Sequence, residues 1–266
     1  KRITCIDWVP SALCMIVNFR ALDKEKPETL KKVMFLGDVM PTKQFSLWRR
    51  AMPQVKFANL YGPTEATGDC TYYKIEREFE DTEPIPIGYA CNNTEVLLLD
   101  GDRLVTEPET VGEICVRGCS LAHGYFNNPE KTREAFVRNP LQPNYYERIY
   151  RTGDLGKYNA SGELVFSGRK DFQIKYMGHR IELEEIEREM NAIPGVERAC
   201  CVFDEKRSRL RGFYVGTVGP EDLHAILRRD LPAFMVPGFL RQVEAMPLNK
   251  NGKIDRKALS EMTGGR

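Results

Sequence analysis

Short apolar runs alternate with amphipathic stretches over the first 60 residues of the chain. Residues 3–9, 30–36 and 55–60 are the apolar runs, and each has the length of a buried strand. Between them, the segment after Pro10 and residues 42–52 carry apolar side chains at helical spacing. Strands that alternate with helices predict a parallel α/β layer.

Polar segments that contain glycine follow two of these predicted strands. Gly37 and Asp38 come directly after the second strand, and residues 61–65, Tyr-Gly-Pro-Thr-Glu, come after the third. Because α/β layers bind ligands beyond the carboxyl ends of their strands, both segments are candidates for a binding site.

The pattern changes near residue 84, after which the apolar runs become shorter and turn residues separate them. The predicted strands are residues 85–89, 95–99, 103–105, 113–117 and 163–166. They favour a small antiparallel β unit that resembles a barrel.

A third pattern, typical of an α+β module, follows residue 168. Its predicted elements are a hairpin of residues 172–177 and 179–183, helices 184–192 and 221–231, and strands 198–204 and 212–218. The predicted fold class is therefore a multi-domain chain of the type α/β plus β plus α+β.

Composition and charge argue against several classes of protein. The net charge of +1 and the pI near 7.7 are unlike those of a duplex nucleic-acid binder. No apolar run of about 20 residues predicts a membrane span. Eight cysteines occur without a CxxC pair and with only three histidines, so small buried thiols are favoured over a zinc site. This cysteine usage predicts a reducing, cytoplasmic compartment.

The segment 150–180 contains the densest group of polar turn signals. Gly153 and Asp154 are interpreted as a turn, and Gly168 and Arg169 as another. Taken singly, such turns are ordinary, and Asp154 with Arg169 could equally be a structural ion pair.

Five motifs, in this order, resemble those of one family. They are NLYGPTE (59–65), GEICVRGCSLAHGYF (112–126), YRTGDL (150–155), GRKDFQIKYMGHRIELEEIE (168–187) and NGKIDR (251–256). The chain is similar to the C-terminal half of an enzyme of the adenylate-forming (ANL) superfamily, of the kind formed by amino-acid adenylation domains of nonribosomal peptide synthetases and D-alanine–carrier protein ligases.

This resemblance implies an organisation in domains. Residues 1–83 would be the rear part of an α/β adenylation subdomain, and residues 84–168 a distorted β-barrel-like subdomain. Residues 169–171 would form a hinge at Asp171, and residues 172–266 a mobile C-terminal α+β lid.

The resemblance also implies ATP-dependent activation of an amino acid, with Mg²⁺ as the metal. Tyr61 would stack on adenine, Asn59 would read the edge of the base, and Asp154 would accept both ribose hydroxyls. Glu65 would help to hold Mg²⁺. The full set implied to bind ATP or AMP is Gly37, Asp38, Asn59, Leu60, Tyr61, Gly62, Pro63, Thr64, Asp154, Arg169 and Lys253.

Further roles follow from the same resemblance. Lys253 would be catalytic, bridging the substrate carboxylate and the α-phosphate, and Arg169 would bind the ribose or the phosphate end. The hairpin at Gly178 would approach the phosphopantetheine arm of a carrier protein for thioester formation. The implied amino-acid pocket comprises Met34, Leu36, Leu60, Gly68 and Asp69.

The chain departs from the family at several points. The family's phosphate loop and aromatic gate have no counterpart here, and we expect them in an upstream half of the same enzyme, which would also be a partner. Asp38 stands where glutamate is commoner, and Leu36 with Asp69 is unlike a D-alanine pocket, so the amino acid is not named. The alternative is a non-catalytic module that binds a nucleotide or a carrier protein. The joint presence of Asp154, Arg169 and Lys253 favours the enzyme.

Overall fold

The computed structural model describes residues 2–170, 173–205, 207–249 and 254–262. The chain divides into two compact units, Lys1–Asp171 and Phe172–Arg266, and each has hydrophobic clusters of its own. Within the described ranges, no helix has the length and apolar character needed to cross a membrane.

The first unit begins with an α/β layer. Its sheet has the order β1-β2-β3-β4-β5, in which the first three strands are parallel and the last two pair antiparallel. The elements are β1 (Cys5–Trp8), α1 (Pro10–Asn18), α2 (Ala21–Lys24), β2 (Lys32–Phe35), α3 (Thr42–Ala51), β3 (Lys56–Tyr61), β4 (Thr71–Ile75) and β5 (Tyr89–Ala90).

Alternation along the strands explains how this layer forms its core. Phe35 and Phe57 point to the same face of the sheet, where they meet Phe45 and Trp48 of α3. The indole N–H of Trp48 is buried and donates to the carbonyl of Leu13 at 2.8 Å, so the ring adds apolar contact without losing a hydrogen bond.

The rest of the first unit is an antiparallel sheet with the order β11-β10-β8-β6-β7, and β9 also pairs with β10. Its strands are β6 (Thr94–Asp100), β7 (Arg103–Leu104), β8 (Gly112–Gly118), β9 (Phe136–Arg138), β10 (Arg148–Tyr158) and β11 (Leu164–Arg169), and α4 (Pro129–Ala135) precedes β9. The side-chain oxygen of Asn128 accepts from the backbone N–H of Lys131, which caps the start of α4.

Three predictions for this unit are wrong. Gly168 and Arg169 do not make a turn, because both residues lie in strand β11 and pair with β10. Residues 85–88 are not a strand, because Pro84 and Pro86 have no N–H to donate to a ladder; Tyr89 and Ala90 form β5 and pair with β4. Gly153 and Asp154 do not make a turn but lie within the 11-residue strand β10.

The described residues of the second unit form a hairpin, a three-stranded sheet, three α-helices and a short 3₁₀ helix, Ala233–Met235. Its elements are β12 (Gln173–Tyr176), β13 (His179–Glu182), α5 (Leu183–Ala192), β14 (Val196–Asp204), β15 (Arg209–Gly216), α6 (Pro220–Asp230), β16 (Phe239–Gln242) and α7 (Arg256–Glu261). The apolar stripes of α5 and α6 pack together on the sheet, with Ile186, Met190, Leu223 and Leu227 fully buried. The predicted fold class, α/β plus β plus α+β, is confirmed.

Candidate functional site

A β-bulge in β10 sets the direction of the Asp154 side chain. The register of β10 against β8 shifts between Arg151 and Leu155, and Gly153 has a φ of 72°. The hydroxyl of Thr152 donates to the carbonyl of Ile114 at 2.7 Å and accepts from the backbone N–H of Asp154 at 2.9 Å. A bulge re-aims the side chains beside it, so Gly153 and Asp154 change the direction of a side chain inside a strand and do not reverse the chain.

Glu113 stabilises this bulge from the neighbouring strand β8. Its carboxylate is buried; one oxygen accepts from the backbone N–H of Gly153 at 3.2 Å, and the other from the guanidinium of Arg151 at 3.0 Å. Sequence analysis missed Glu113 as a site residue. The sequence shows only an acidic residue directly before the apolar run Ile114–Val116, and its contact with the bulge becomes visible when β8 pairs with β10.

Asp154 is the centre of the candidate site. The residue is 3% exposed; its Oδ1 accepts from Nη1 of Arg169 at 2.6 Å, and its Oδ2 accepts from the hydroxyl of Tyr61 at 2.6 Å. The Arg169 guanidinium also donates to the carbonyl of Thr152 at 3.1 Å. The structure therefore brings together three predicted residues that lie far apart in the sequence.

The protonation of Tyr61 follows from this arrangement. Burial first, and then the negative charge of Asp154, raise the pKa of the Tyr61 hydroxyl well above its ordinary value. The phenol consequently stays a neutral hydrogen-bond donor to Asp154 at physiological pH. The carboxylate is held by one cationic and one neutral donor, which fixes its orientation before any ligand binds.

Asn59 precedes Tyr61 by two residues on β3, and both are buried. The Asn59 amide donates to the carbonyl of Pro86 at 2.9 Å. The ring of Tyr61 packs in the core of the antiparallel sheet with Ile87 and Leu98. The adenine-binding roles given to Asn59 and Tyr61 stay predictions.

The loop after β3 is folded tightly on itself. The segment Thr64–Ala66 forms a single 3₁₀ turn, and the backbone N–H of Gly68 donates to the carbonyl of Pro63 at 3.2 Å. A Cβ atom on Gly62 would lie 1.5 Å from the carbonyl oxygen of Gly68, so only glycine fits there. This packing leaves Thr64 exposed, while the next residue, Glu65, is turned inward.

Glu65, the predicted metal ligand, is a buried carboxylate. It is 8% exposed, and its Oε1 accepts from the hydroxyl of Tyr125 at 2.7 Å. No group of three or more His, Cys, Asp or Glu side chains within the described ranges could hold a metal ion. The single carboxylate of Glu65 fits Mg²⁺, which proteins usually bind through one or two carboxylates together with substrate phosphates.

Three of the five residues predicted for the amino-acid pocket lie on the face of the first sheet opposite its core, whereas Gly68 and Asp69 lie in the segment before β4. Met34 and Leu60 alternate with buried neighbours and are half-buried, as is Leu36 just beyond β2. Met34 pairs with Asp7 of β1. Desolvation, and then the charge of Asp7, raise the pKa of Asp69, which makes Asp7 a neighbour that sequence analysis missed.

Other predicted residues of the first unit lie at the ends of these strands. Gly37 follows β2 with a φ of 92°, and Gly68 has a φ of 90°, so both occupy the left-handed region that favours glycine. The carboxylate of Asp38 is half-buried and accepts from the backbone N–H of Val39 at 2.7 Å.

The predicted residues of the second unit fall partly outside the described residues. Gly178 lies at the exposed tip of the β12–β13 hairpin with a φ of 81°, next to Met177 with a φ of 53°. Asp171 and Lys253 lie outside the described residues.

Arg256, three positions beyond Lys253, is described and firmly held. Its guanidinium binds both carboxylate oxygens of Glu187, at 2.5 and 2.9 Å, and donates to the carbonyl of Cys201 at 2.5 Å. These contacts connect the start of α7 to α5 and β14.

Comparison with known proteins assigns the family. The sequence profile of the AMP-binding enzymes matches residues 1–126, and that of the AMP-binding enzyme C-terminal domain matches residues 185–253. Tyrocidine synthase 2 of Brevibacillus parabrevis is 40% identical over 241 residues, which are 89% of this chain and 7% of that protein.

Two solved structures are also similar. Holo-PA1221, an NRPS protein containing adenylation and PCP domains, is 32% identical with a TM-score of 0.81, and the match covers 96% of this chain and 44% of that chain. The Vibrio cholerae adenylation domain AlmE, solved in complex with glycyl-adenosine-5'-phosphate, is 25% identical with a TM-score of 0.83, over 98% of this chain and 49% of that chain.

The chain thus spans less than half of each of these solved proteins and a small part of the synthase. Both family profiles match in order, and the relatives align over nearly the whole chain. The protein belongs to the adenylate-forming superfamily of AMP-binding enzymes, and the part that it spans includes the family's C-terminal domain.

Proposed function

We propose that this chain is part of an AMP-forming ligase that activates an amino acid as its aminoacyl adenylate and transfers it to a carrier protein. The observation that carries the proposal is the buried Asp154 carboxylate, held by Arg169 and Tyr61. A fixed carboxylate is a suitable acceptor for two neighbouring ribose hydroxyls, because its two oxygens can each accept a second hydrogen bond.

The reaction requires compensation of charge at the phosphates. The amino-acid carboxylate attacks the α-phosphorus of ATP and pyrophosphate leaves, so that negative charge develops on the phosphate oxygens. Mg²⁺, when bound, offsets part of this charge, and Glu65 is the side chain that would hold it. Arg169 would supply positive charge on the ribose side of the site, and Lys253 on the substrate carboxylate.

Two relatives support the chemistry and the acceptor. AlmE was solved with glycyl-adenosine-5'-phosphate, which is an aminoacyl adenylate. PA1221 contains a PCP domain beside its adenylation domain. By analogy, the acceptor for this chain is the phosphopantetheine arm of a carrier protein, approached by the hairpin at Gly178. All eight cysteines are free thiols, which fits the reducing cytoplasm proposed as the compartment.

The domain roles are part of the same proposal. Residues 1–83 and 84–168 would form the nucleotide side of the site, and residues 172–266 would act as the lid that carries Lys253. A hinge at Asp171 would let one active site catalyse adenylation and then thioester formation.

The test is ATP–pyrophosphate exchange by the longest natural protein that contains this chain, measured with each amino acid in turn. We expect exchange with one amino acid or one small chemical group of them, followed by a thioester on the carrier protein. Tight nucleotide or carrier binding without exchange for any amino acid would refute the ligase and support the non-catalytic binding module.

A further inference from the structure

The hydroxyl of Tyr125 makes a contact that none of the roles above uses. It donates to Oε1 of Glu65 at 2.7 Å and lies 3.3 Å from the hydroxyl of Tyr150. The backbone of Glu65 is also anchored, since its carbonyl accepts from the N–H of Ala122 at 2.8 Å. Two separate bonds therefore join the segment 122–125 to Glu65.

The segment that carries Tyr125 is itself fixed on α4. The backbone N–H of Tyr125 donates to the hydroxyl of Thr132 at 2.9 Å, and that hydroxyl donates to the carbonyl of Asn128 at 2.8 Å. A Cβ atom on Gly124 would lie 2.4 Å from a methyl carbon of Thr132, so the loop packs directly on the helix. These contacts leave the Tyr125 backbone little freedom to move away from Glu65.

Edge-to-face and tilted aromatic contacts fix the Tyr125 ring as well. Its centroid is 5.8 Å from that of Phe136, and Phe136 is 4.9 Å from Tyr150, which is 2% exposed. Arg148 holds the other side of the loop by donating to the carbonyls of Ala122 and His123. A ring that is packed in this way presents its hydroxyl at one position only.

The contact fixes one oxygen of the Glu65 carboxylate. Because the two oxygens lie in one plane with the carboxyl carbon, the bond from Tyr125 restricts the direction in which the whole carboxylate faces.

We propose that Tyr125 is a positioning residue that orients the Glu65 carboxylate for the metal ion of the nucleotide complex. The inference rests on the proposed function, since that function gives Glu65 its metal. Partners that orient a metal ligand typically change metal affinity by about 10- to 100-fold when they are removed. Tyr125 is such a partner, because its ring is packed, its loop is fixed and its hydroxyl donates to the Glu65 carboxylate.

The test compares Tyr125→Phe with the wild type in the full natural protein. Phenylalanine keeps the ring on Phe136 and removes only the hydroxyl. We measure Mn²⁺ binding in the presence of a non-hydrolysable ATP analogue, by electron paramagnetic resonance of the free ion. The dissociation constant for Mn²⁺ should rise by about 10-fold or more in the variant. Tyr145→Phe, at a tyrosine that is 56% exposed, should leave it unchanged.

A second variant distinguishes loss of positioning from a folding defect. Thr132→Val removes the hydroxyl that holds the Tyr125 backbone but leaves the Tyr125 hydroxyl in place, and it should weaken Mn²⁺ binding to a smaller extent. Equal Mn²⁺ affinity in wild type and Tyr125→Phe, or no Mn²⁺ binding by the wild-type nucleotide complex, would overturn the inference. Exchange activity of the wild type is measured separately, so failure of the ligase proposal is seen independently of failure of this one.

Discussion

Asp154 and Arg169 face each other across the β10–β11 ladder, and their side chains form an ion pair of 2.6 Å. Both side chains are largely buried, at 4% and 11% exposed. A cross-strand position gives the pair a fixed backbone on both sides, so the carboxylate does not depend on a loop for its orientation. Such rigidity would suit the role proposed for Asp154, in which the carboxylate accepts the hydroxyls of a ribose without moving.

Gly62→Ala should severely destabilise the first unit. The added Cβ would overlap the carbonyl of Gly68, which is backbone and cannot rotate away. We expect a loss of about 4 kcal/mol or more in the free energy of unfolding, measured by urea denaturation. Gly101→Ala is the matched control, because its φ is 60° but no atom lies within 4 Å of the added Cβ. It should cost only about 1–2 kcal/mol; equal losses would mean that the close approach at Gly62 is unimportant.

Much of this fold could be predicted from the sequence because its strands and helices carry strong periodicity. The helix at Thr42–Ala51 and the hairpin around Gly178 form close to their predicted bounds. The β10 strand could not be predicted, because Gly153 and Asp154 in a bulge have the same composition as a turn. Periodicity describes one segment at a time, whereas a bulge is defined by the partner strand.

The candidate site could also be predicted only in part from the sequence. The sequence motifs pointed to Asp154, Tyr61 and Arg169, and the structure places them in contact. They could not predict Glu113 and Tyr125, whose importance comes from contacts across 40 and 60 residues of sequence. Supporting residues of this kind are recognised only when the strands are paired.

The stability of the protein should fall in alkaline solution partly because of Cys115. Burial raises the pKa of this thiol from 9.0 to about 12. Below pH 9 the thiol is protonated in both the folded and the unfolded state, so the buried thiol contributes fully to the free energy of unfolding. Between pH 9 and about 12 the unfolded state ionises and the folded state resists, so that stability is lost as the pH rises.

The check is the free energy of unfolding measured from pH 8 to pH 11 for two variants. Cys115→Ala should show a shallower decline with pH than the wild type. Cys119→Ala, at an exposed cysteine that directly follows β8, should follow the wild-type slope. Parallel curves for wild type and Cys115→Ala would contradict the account.

Arg256→Met should destabilise the second unit by about 3 kcal/mol. The substitution removes a bidentate ion pair and leaves the largely buried carboxylate of Glu187 without its cation. Arg188→Gln is the control, because Arg188 is 70% exposed and its ion pairs of 3.6 and 4.0 Å are loose. Its effect should stay below about 1 kcal/mol in the same denaturation experiment. A similar loss in both variants would show that burial of the Arg256–Glu187 ion pair does not increase its contribution to stability.

The most direct test of the nucleotide site is ATP–pyrophosphate exchange by Asp154→Asn in the full natural protein, with its preferred amino acid. Asparagine keeps the size of the side chain but removes the negative charge that pairs with Arg169 and that is proposed to bind the ribose hydroxyls. We expect kcat/KM for ATP to fall by about 10- to 100-fold, in line with about 1.5–3 kcal/mol for hydrogen bonds to a charged group. Asp102→Asn, at an exposed carboxylate that pairs with Arg151 in the same β unit, should exchange at the wild-type rate. Wild-type exchange by Asp154→Asn, with its unfolding midpoint unchanged, would contradict the assignment of Asp154 to the nucleotide.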